Sequence, residues 1–215
     1  VDLDGNRYVA IGTDKFLLLY FEGQLFDITP VKAVINSATI ATTNNSATCT
    51  ITTSGAHGIG VGDIVQFNNV TLPGGTGYAN SDFEDKNFQV ITVPSTTTFT
   101  ITQSSNATAT VSTGGSIQLI PYEPVGPAAQ SYGYGWGIDS WGSDNWGEAA
   151  SASNVSLEPG LWSLDNFGEV LIATIANGKT FTWNAGAASA TSNRASTATS
   201  GFATGNNPTA SRLTL

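Results

Sequence analysis

The sequence predicts an all-β protein. Apolar residues alternate with polar ones at period two along much of the chain, and turns containing Gly, Asn or Pro recur every eight to ten residues. No stretch of a dozen residues sets apolar side chains at i, i+3, i+4 and i+7, the pattern an amphipathic helix needs.

Residues 1–32 read as a β-meander. Strand-like residues 7–11 lead into a turn at Gly12-Thr13-Asp14, residues 15–21 into a turn at Glu22-Gly23-Gln24, and residues 25–28 into Thr29-Pro30. The run Phe16-Leu-Leu-Leu-Tyr-Phe21 has no polar alternate, which predicts a strand covered on both faces. Residues 33–120 read as an inserted small β-barrel or sandwich. Its short, Thr-rich strands fall at 33–40, 47–53, 63–67, 88–93, 97–102 and 116–120, with one solvated face.

Residues 121–160 form a Gly/Trp-rich loop segment after three prolines, Pro121, Pro124 and Pro127. Trp136, Trp141 and Trp146 stand five residues apart, each followed by Gly, a spacing that is neither helical nor strand-like. Residues 161–215 return to strands at 161–164, 170–175 and 180–183. The last two are joined through Asn177-Gly178, whose tolerance of positive φ marks a type I′ hairpin. A long Ser/Thr/Ala/Asn-rich loop then leads to a last strand at 211–215. The chain begins at Val1 within a strand-like context and ends on an apolar alternation, so it reads as a piece of a longer polypeptide.

Charge bounds the function. Only 11% of residues are charged, against roughly 25% in an average soluble protein. Seven basic residues against sixteen acidic ones give a formal net charge of −9, and the basic residues are scattered. That excludes a groove holding nucleic acid by clustered Lys and Arg, and no sequence-specific nucleic-acid binding is expected. No apolar run approaches the roughly 20 residues of a membrane-spanning helix. Cys49 is the sole cysteine and His57 the sole histidine, which rules out an intrachain disulfide framework and metal sites built from several imidazoles or thiolates. Cys49 reads as a small strand residue and His57 as a loop residue among glycines. Asp2-Leu-Asp-Gly-Asn6 lacks the spacing of a calcium loop, and Gly74-Gly-Thr-Gly77 lacks the Lys and helix of a phosphate cradle. No cofactor or metal is expected.

One internal repeat stands out. Trp141-Gly-Ser-Asp-Asn-Trp-Gly-Glu148 and Trp162-Ser-Leu-Asp-Asn-Phe-Gly-Glu169 share W-x-x-D-N-[WF]-G-E at an offset of 21 residues. Asp144, Asn145, Asp165 and Asn166 read as turn-formers, the Asp carboxylates accepting backbone N–H groups and the glycine of each copy supplying the left-handed position, and Trp141, Trp146, Trp162, Phe167 and Trp183 read as anchors beside them. A catalytic alternative pairs Glu148 with Glu169, or Asp144 with Asp165, as glycosidase carboxylates; turn chemistry already accounts for both copies.

Several stretches together resemble structural proteins of short-tailed bacteriophages, the propeller-like tail, nozzle or neck components that ring the DNA exit channel. They are Arg7-Tyr-Val-Ala-Ile-Gly-Thr with Phe26-Asp-Ile-Thr-Pro30, Gly133-Tyr-Gly-Trp-Gly, and Leu161-Trp-Ser-Leu-Asp-Asn-Phe-Gly-Glu-Val-Leu-Ile-Ala173. His57-Gly-Ile-Gly-Val-Gly-Asp-Ile-Val-Gln-Phe67 is similar to a small β-barrel module inserted in phage virion proteins.

The resemblance implies propeller-blade-like sheets, with further blades outside this chain. It also implies a homo-oligomeric ring (a hexamer in such proteins), contacts with other tail or neck proteins, and a place in the virion after assembly in the host cytoplasm. The expectation is a protein that works by assembly contacts and is not an enzyme. The runner-up is a receptor- or glycan-binding adhesin using Tyr132, Tyr134 and Trp136 as a stacking platform, followed by a glycoside hydrolase using Glu148 and Glu169.

Overall fold

Two consecutive residues with positive φ, Glu22 (48°) and Gly23 (82°), make the tight turn that organises the N-terminal meander. It joins β2 (Leu17–Phe21) to β3 (Gln24–Asp27), while β1 (Val9–Gly12) pairs antiparallel with β2 in the register Val9↔Tyr20 to Gly12↔Leu17. The β1–β2 turn is held by Thr13, whose hydroxyl accepts the Phe16 N–H at 2.8 Å. A computed structural model of the chain describes residues 5–13, 15–123, 162–175, 179–187 and 193–197. Among these the paired strands are antiparallel, one short 3-10 turn is present and there is no α-helix, so the fold class is all-β. The chain divides into two units. Residues 1–26, 125–190 and 197–215 make unit 1; residues 27–124 and 191–196 make unit 2.

Burial in β2 alternates, so of the two faces expected to be covered one is covered within the chain itself. Leu17 and Leu19 are buried, whereas Tyr20 is exposed and Leu18 only half-buried. The strand's neighbours lie in its own sheet plane, so its apolar outer residues are left facing outward.

Unit 2 is one curled sheet. Its strands are β4 (Ile35–Thr42), β5 (Thr48–Thr52), β6 (Ile64–Thr71), β7 (Lys86–Gln89), β8 (Thr92–Ser95), β9 (Thr98–Thr102) and β10 (Ser116–Pro121), in the order β7-β6-β10-β4-β5-β9-β8. The edge strands β7 and β8 are consecutive in sequence. Val90 donates its N–H to Asp63 on the β6 side, and Ile91 donates to Thr100 on β9. The run 88–93, expected as one strand, therefore changes partners at Val90-Ile91 and joins both edges of the sheet, which is barrel closure achieved by one bent segment. Curvature comes from bulges that flank β10. Each of β4 and β6 carries one extra residue opposite β10, and Ser37 (φ 60°) and Asn69 (φ 50°) take the left-handed conformation there. Glu84 secures the second bulge: its two carboxylate oxygens accept the N–H groups of Asn69 (2.8 Å) and Val70 (2.7 Å).

The inward residues form a single core that includes Ile40, Ile51, Phe67, Phe83, Phe99 and Ile117. Phe67, Phe83 and Phe88 lie with ring centroids 5.1 to 6.1 Å apart. Phe83 follows η1 (Asn80–Asp82), whose first turn is tied by Asp82 accepting the Ala79 N–H. Cys49 is buried in β5 without a disulfide, and burial pushes its thiol pKa up, away from reactivity.

The second sheet of unit 1 contains β11 (Trp162–Phe167), β12 (Val170–Ile175) and β13 (Thr180–Asn184), in that order. Strands β11 and β12 register as Trp162↔Ile175 through Phe167↔Val170, leaving Gly168-Glu169 as a two-residue turn with Gly168 at φ 61°. The glycine expected to take the left-handed position does so, while Asp165 and Asn166, read as turn-formers, stand just before the turn. Both lie inside β11, and the reversal falls on the following glycine, the residue that adopts positive φ most readily. Strands β12 and β13 pair as an antiparallel hairpin; Asn177 and Gly178 lie outside the described residues.

Candidate interaction surface

Parity along β1 and β2 separates two faces within unit 1. Tyr8 stacks on Phe21 across the strand pair at 4.5 Å, and Trp183 of β13 meets Tyr8 edge-on at 5.3 Å. Trp162 lies 6.1 Å from Phe181, and its indole leaves no room beside Gly12: a Cβ built there would fall 2.6 Å from Trp162 Cβ. The indole Nε1–H of Trp162 is buried with no hydrogen-bond partner among the described residues. This is a compact aromatic inner face, with Trp183 and Phe181 buried.

The opposite face is apolar and open. Val9 (55% exposed), Ile11 and Tyr20 (44%) project from it, and the two-residue turn sets Leu25 (60%) across from Tyr20 on β3. Water gains nothing from such a surface. Covering these half-exposed side chains would stabilise a contact by roughly 1 kcal/mol each.

The residues predicted to matter are distributed unevenly. Trp162 and Trp183 belong to the inner face. Phe167 does not: it is 80% exposed at the end of β11, which corrects its reading as an anchor. Among the described residues β11 pairs on one side alone, with β12, and Phe167 ends it next to the reversal. Asp165 and Asn166 are exposed on β11, with Asp165 Oδ1 accepting the Asn166 N–H. Glu169 occupies the β11–β12 turn, and its carboxylate approaches Gly186 so closely that a Cβ there would fall 2.7 Å from Oε2. Trp136, Trp141, Asp144, Asn145, Trp146, Tyr132, Tyr134 and Glu148 lie outside the described residues. Both proposed carboxylate pairs are therefore described on one side only.

A second feature, in unit 2, was not anticipated. Arg194 lies over the Tyr122 ring, Cζ 4.6 Å from the centroid, and its Nη2 donates to the Tyr122 hydroxyl at 2.8 Å and to Gln66 Oε1 at 3.3 Å. Its Nη1 donates to Thr29 O at 3.0 Å and to Asp27 Oδ2 at 3.2 Å. Tyr122 is 2% exposed and donates to Asp27 Oδ2 at 2.6 Å. Burial, reinforced by the bond to Asp27, pushes its phenol pKa up to about 12. A phenol held protonated in this way is a hydrogen-bond hub, not an activated nucleophile.

The outer face of unit 2 is uncharged along two adjacent strands. Thr48, Thr50 and Thr52 of β5 stand opposite Thr102, Thr100 and Thr98 of β9, and the Thr100 hydroxyl lies 2.7 Å from that of Thr92. His57 is buried, its Nδ1 accepting the Ile59 N–H at 3.0 Å. Among the described residues no group of three or more His, Cys, Asp or Glu could hold a metal ion, and no helix is long and apolar enough to cross a membrane.

No protein-family model matches the chain. No curated protein matches it either. Among solved structures, it is similar to one described as phage phi92 endosialidase, with 16% identity and a TM-score of 0.34 over 84% of this chain. The chain spans 28% of that protein's length. The sequence reading set enzymatic function aside. That exclusion is corrected here, because the aligned structure is named as an enzyme.

Proposed function

We propose that this chain is part of a phage virion protein of the tail, nozzle or neck, assembled as a ring through contacts between its sheets and neighbouring subunits. The observation that carries the reading is the outer face of β1–β3, where Val9, Ile11, Tyr20 and Leu25 present apolar surface opposite an inner face already filled by Tyr8, Phe21 and Trp183. An antiparallel sheet can leave one face in water, but a patch of apolar side chains on that face marks a contact surface. The sparse charge supports the same reading, since interface centres are depleted of charged residues. Head-to-tail repetition of such a contact closes a ring when the rotation between copies divides a full turn. Electron microscopy of the native particle tests the proposal. Density for this chain is expected in a closed ring on the tail axis with β1–β3 against a neighbour, and its absence from the particle refutes the assignment.

A glycan-binding role rests on a different observation, the Thr48–Thr52 and Thr98–Thr102 face with its paired, uncharged hydroxyls. Incubating the protein with a panel of neutral and sialylated oligosaccharides, reading both retention and cleavage products, tests it. Absence of retention at millimolar glycan removes this second reading.

A further inference from the structure

Unit 2 is built from two separated pieces of chain, 27–124 and 191–196, and the bonds that join them converge on one place. The entering pass pairs with the leaving pass: Lys32 N–H donates to Pro121 O at 2.8 Å, Glu123 N–H donates to Pro30 O at 2.8 Å, and Val31 bridges Tyr122. The returning pass docks beside them, with Ala195 N–H donating to Ile28 O at 2.9 Å and Ala195 buried. Arg194 holds all of these together. Its guanidinium reaches the entering pass through Asp27 and Thr29, strand β6 through Gln66, and the leaving pass through Tyr122, whose hydroxyl also lies 3.2 Å from Asn87 Oδ1 on β7.

From this convergence we infer that residues 193–196 are a strap, and Arg194 its pin, closing the base of unit 2 in a clasp that opens without melting the curled sheet. The physical basis is the contrast between the two regions. The β4–β10 sheet is sealed by a continuous apolar core that includes Ile40, Phe67, Phe99 and Ile117. The strap contributes one buried alanine and one cation, and both partners of the Arg194–Asp27 ion pair keep about a quarter of their side-chain surface in contact with solvent. Such an assembly belongs to the low-stability end of a structure, where sub-global opening occurs. A planar guanidinium with five donors can serve four acceptors and stack on a ring at once, whereas an ammonium cannot. The inference concerns unit 2 alone and stands whether or not the assembly proposal does.

Hydrogen exchange read by mass spectrometry on the intact chain tests it. In Arg194→Gln, the amides of Lys32, Glu123 and Ala195 are expected to exchange at least tenfold faster. Those of Cys49 and Ile101, in β5 and β9, should keep their wild-type rates. Arg194→Lys is expected to fall between the two. Wild-type protein in about 1 M salt, where the screening length shrinks to about 3 Å, gives a reading that no folding failure can obscure: the same three amides should accelerate several-fold and the β5 and β9 amides should not. Unchanged exchange at the clasp in both experiments overturns the inference. So does acceleration that spreads equally to Cys49 and Ile101, since Arg194 would then support the unit as a whole.

Discussion

Trp162 lies so close to Gly12 that the two sheets of unit 1 meet at a position where no side chain fits: a Cβ on Gly12 would stand 2.6 Å from both Cβ and Cδ1 of the tryptophan. The indole occupies the volume that any other residue at the end of β1 would need. Gly12→Ala is therefore expected to destabilise unit 1 by roughly 1–3 kcal/mol through forced displacement of Trp162, read as a lowered urea midpoint and a shift in tryptophan fluorescence.

The two aromatic positions that looked alike in the sequence should behave oppositely. Trp183 is buried against Tyr8, so Trp183→Ala is expected to cost about 3–5 kcal/mol. Phe167 is largely exposed, so Phe167→Ser should change stability by no more than about 0.5 kcal/mol. Equilibrium denaturation of both variants checks the contrast.

Removing the carboxylate of Glu84 would strip the N–H groups of Asn69 and Val70 of their acceptors at a bulge that bends β6 around β10. Glu84→Ala is expected to cost about 1–3 kcal/mol and to speed amide exchange at Asn69 and Val70 before the rest of the sheet. Thermal melting with residue-resolved exchange measures both.

Alkaline pH should loosen unit 2. Burial and the Asp27 bond hold Tyr122 protonated up to about 12, above the ordinary 10. Its contribution is therefore complete below pH 10 and is lost as pH rises through 12. Stability is expected to fall across that window, Tyr122 supplying about 2 kcal/mol of the loss. Tyr122→Phe should flatten the profile; Tyr78, also raised to about 12 chiefly by burial, leaves a residual slope. Denaturant titrations at stepped pH decide the matter.

Much of the fold was legible because local chemistry dictates it. Glu22-Gly23 turns where a tight reversal needs positive φ, and Thr-rich alternation along 47–53 and 97–102 becomes the half-solvated β5 and β9. What was missed depends on contacts across long stretches of chain. Asp-Asn at 165–166 carries a turn signature, and Gly168 takes the left-handed position that signature expects, yet pairing with β12 holds Asp165 and Asn166 themselves in the strand. The run 88–93 looks continuous because nothing local announces that Val90 and Ile91 bond to different neighbours. Arg194 sits in a weakly patterned Ser/Thr/Asn stretch, and its acceptors lie 72 to 167 residues away in sequence. Its one local signal was being a lone cation among small neutral residues.

The oligomeric state of the protein, with and without charge placed on the outer face of β1–β3, tests the central claim most directly. Native mass spectrometry of the wild type should show one closed multimer, and Val9→Lys combined with Tyr20→Lys should release folded single subunits. A wild type that stays a single subunit at every concentration, or a multimer indifferent to both lysines, would contradict it.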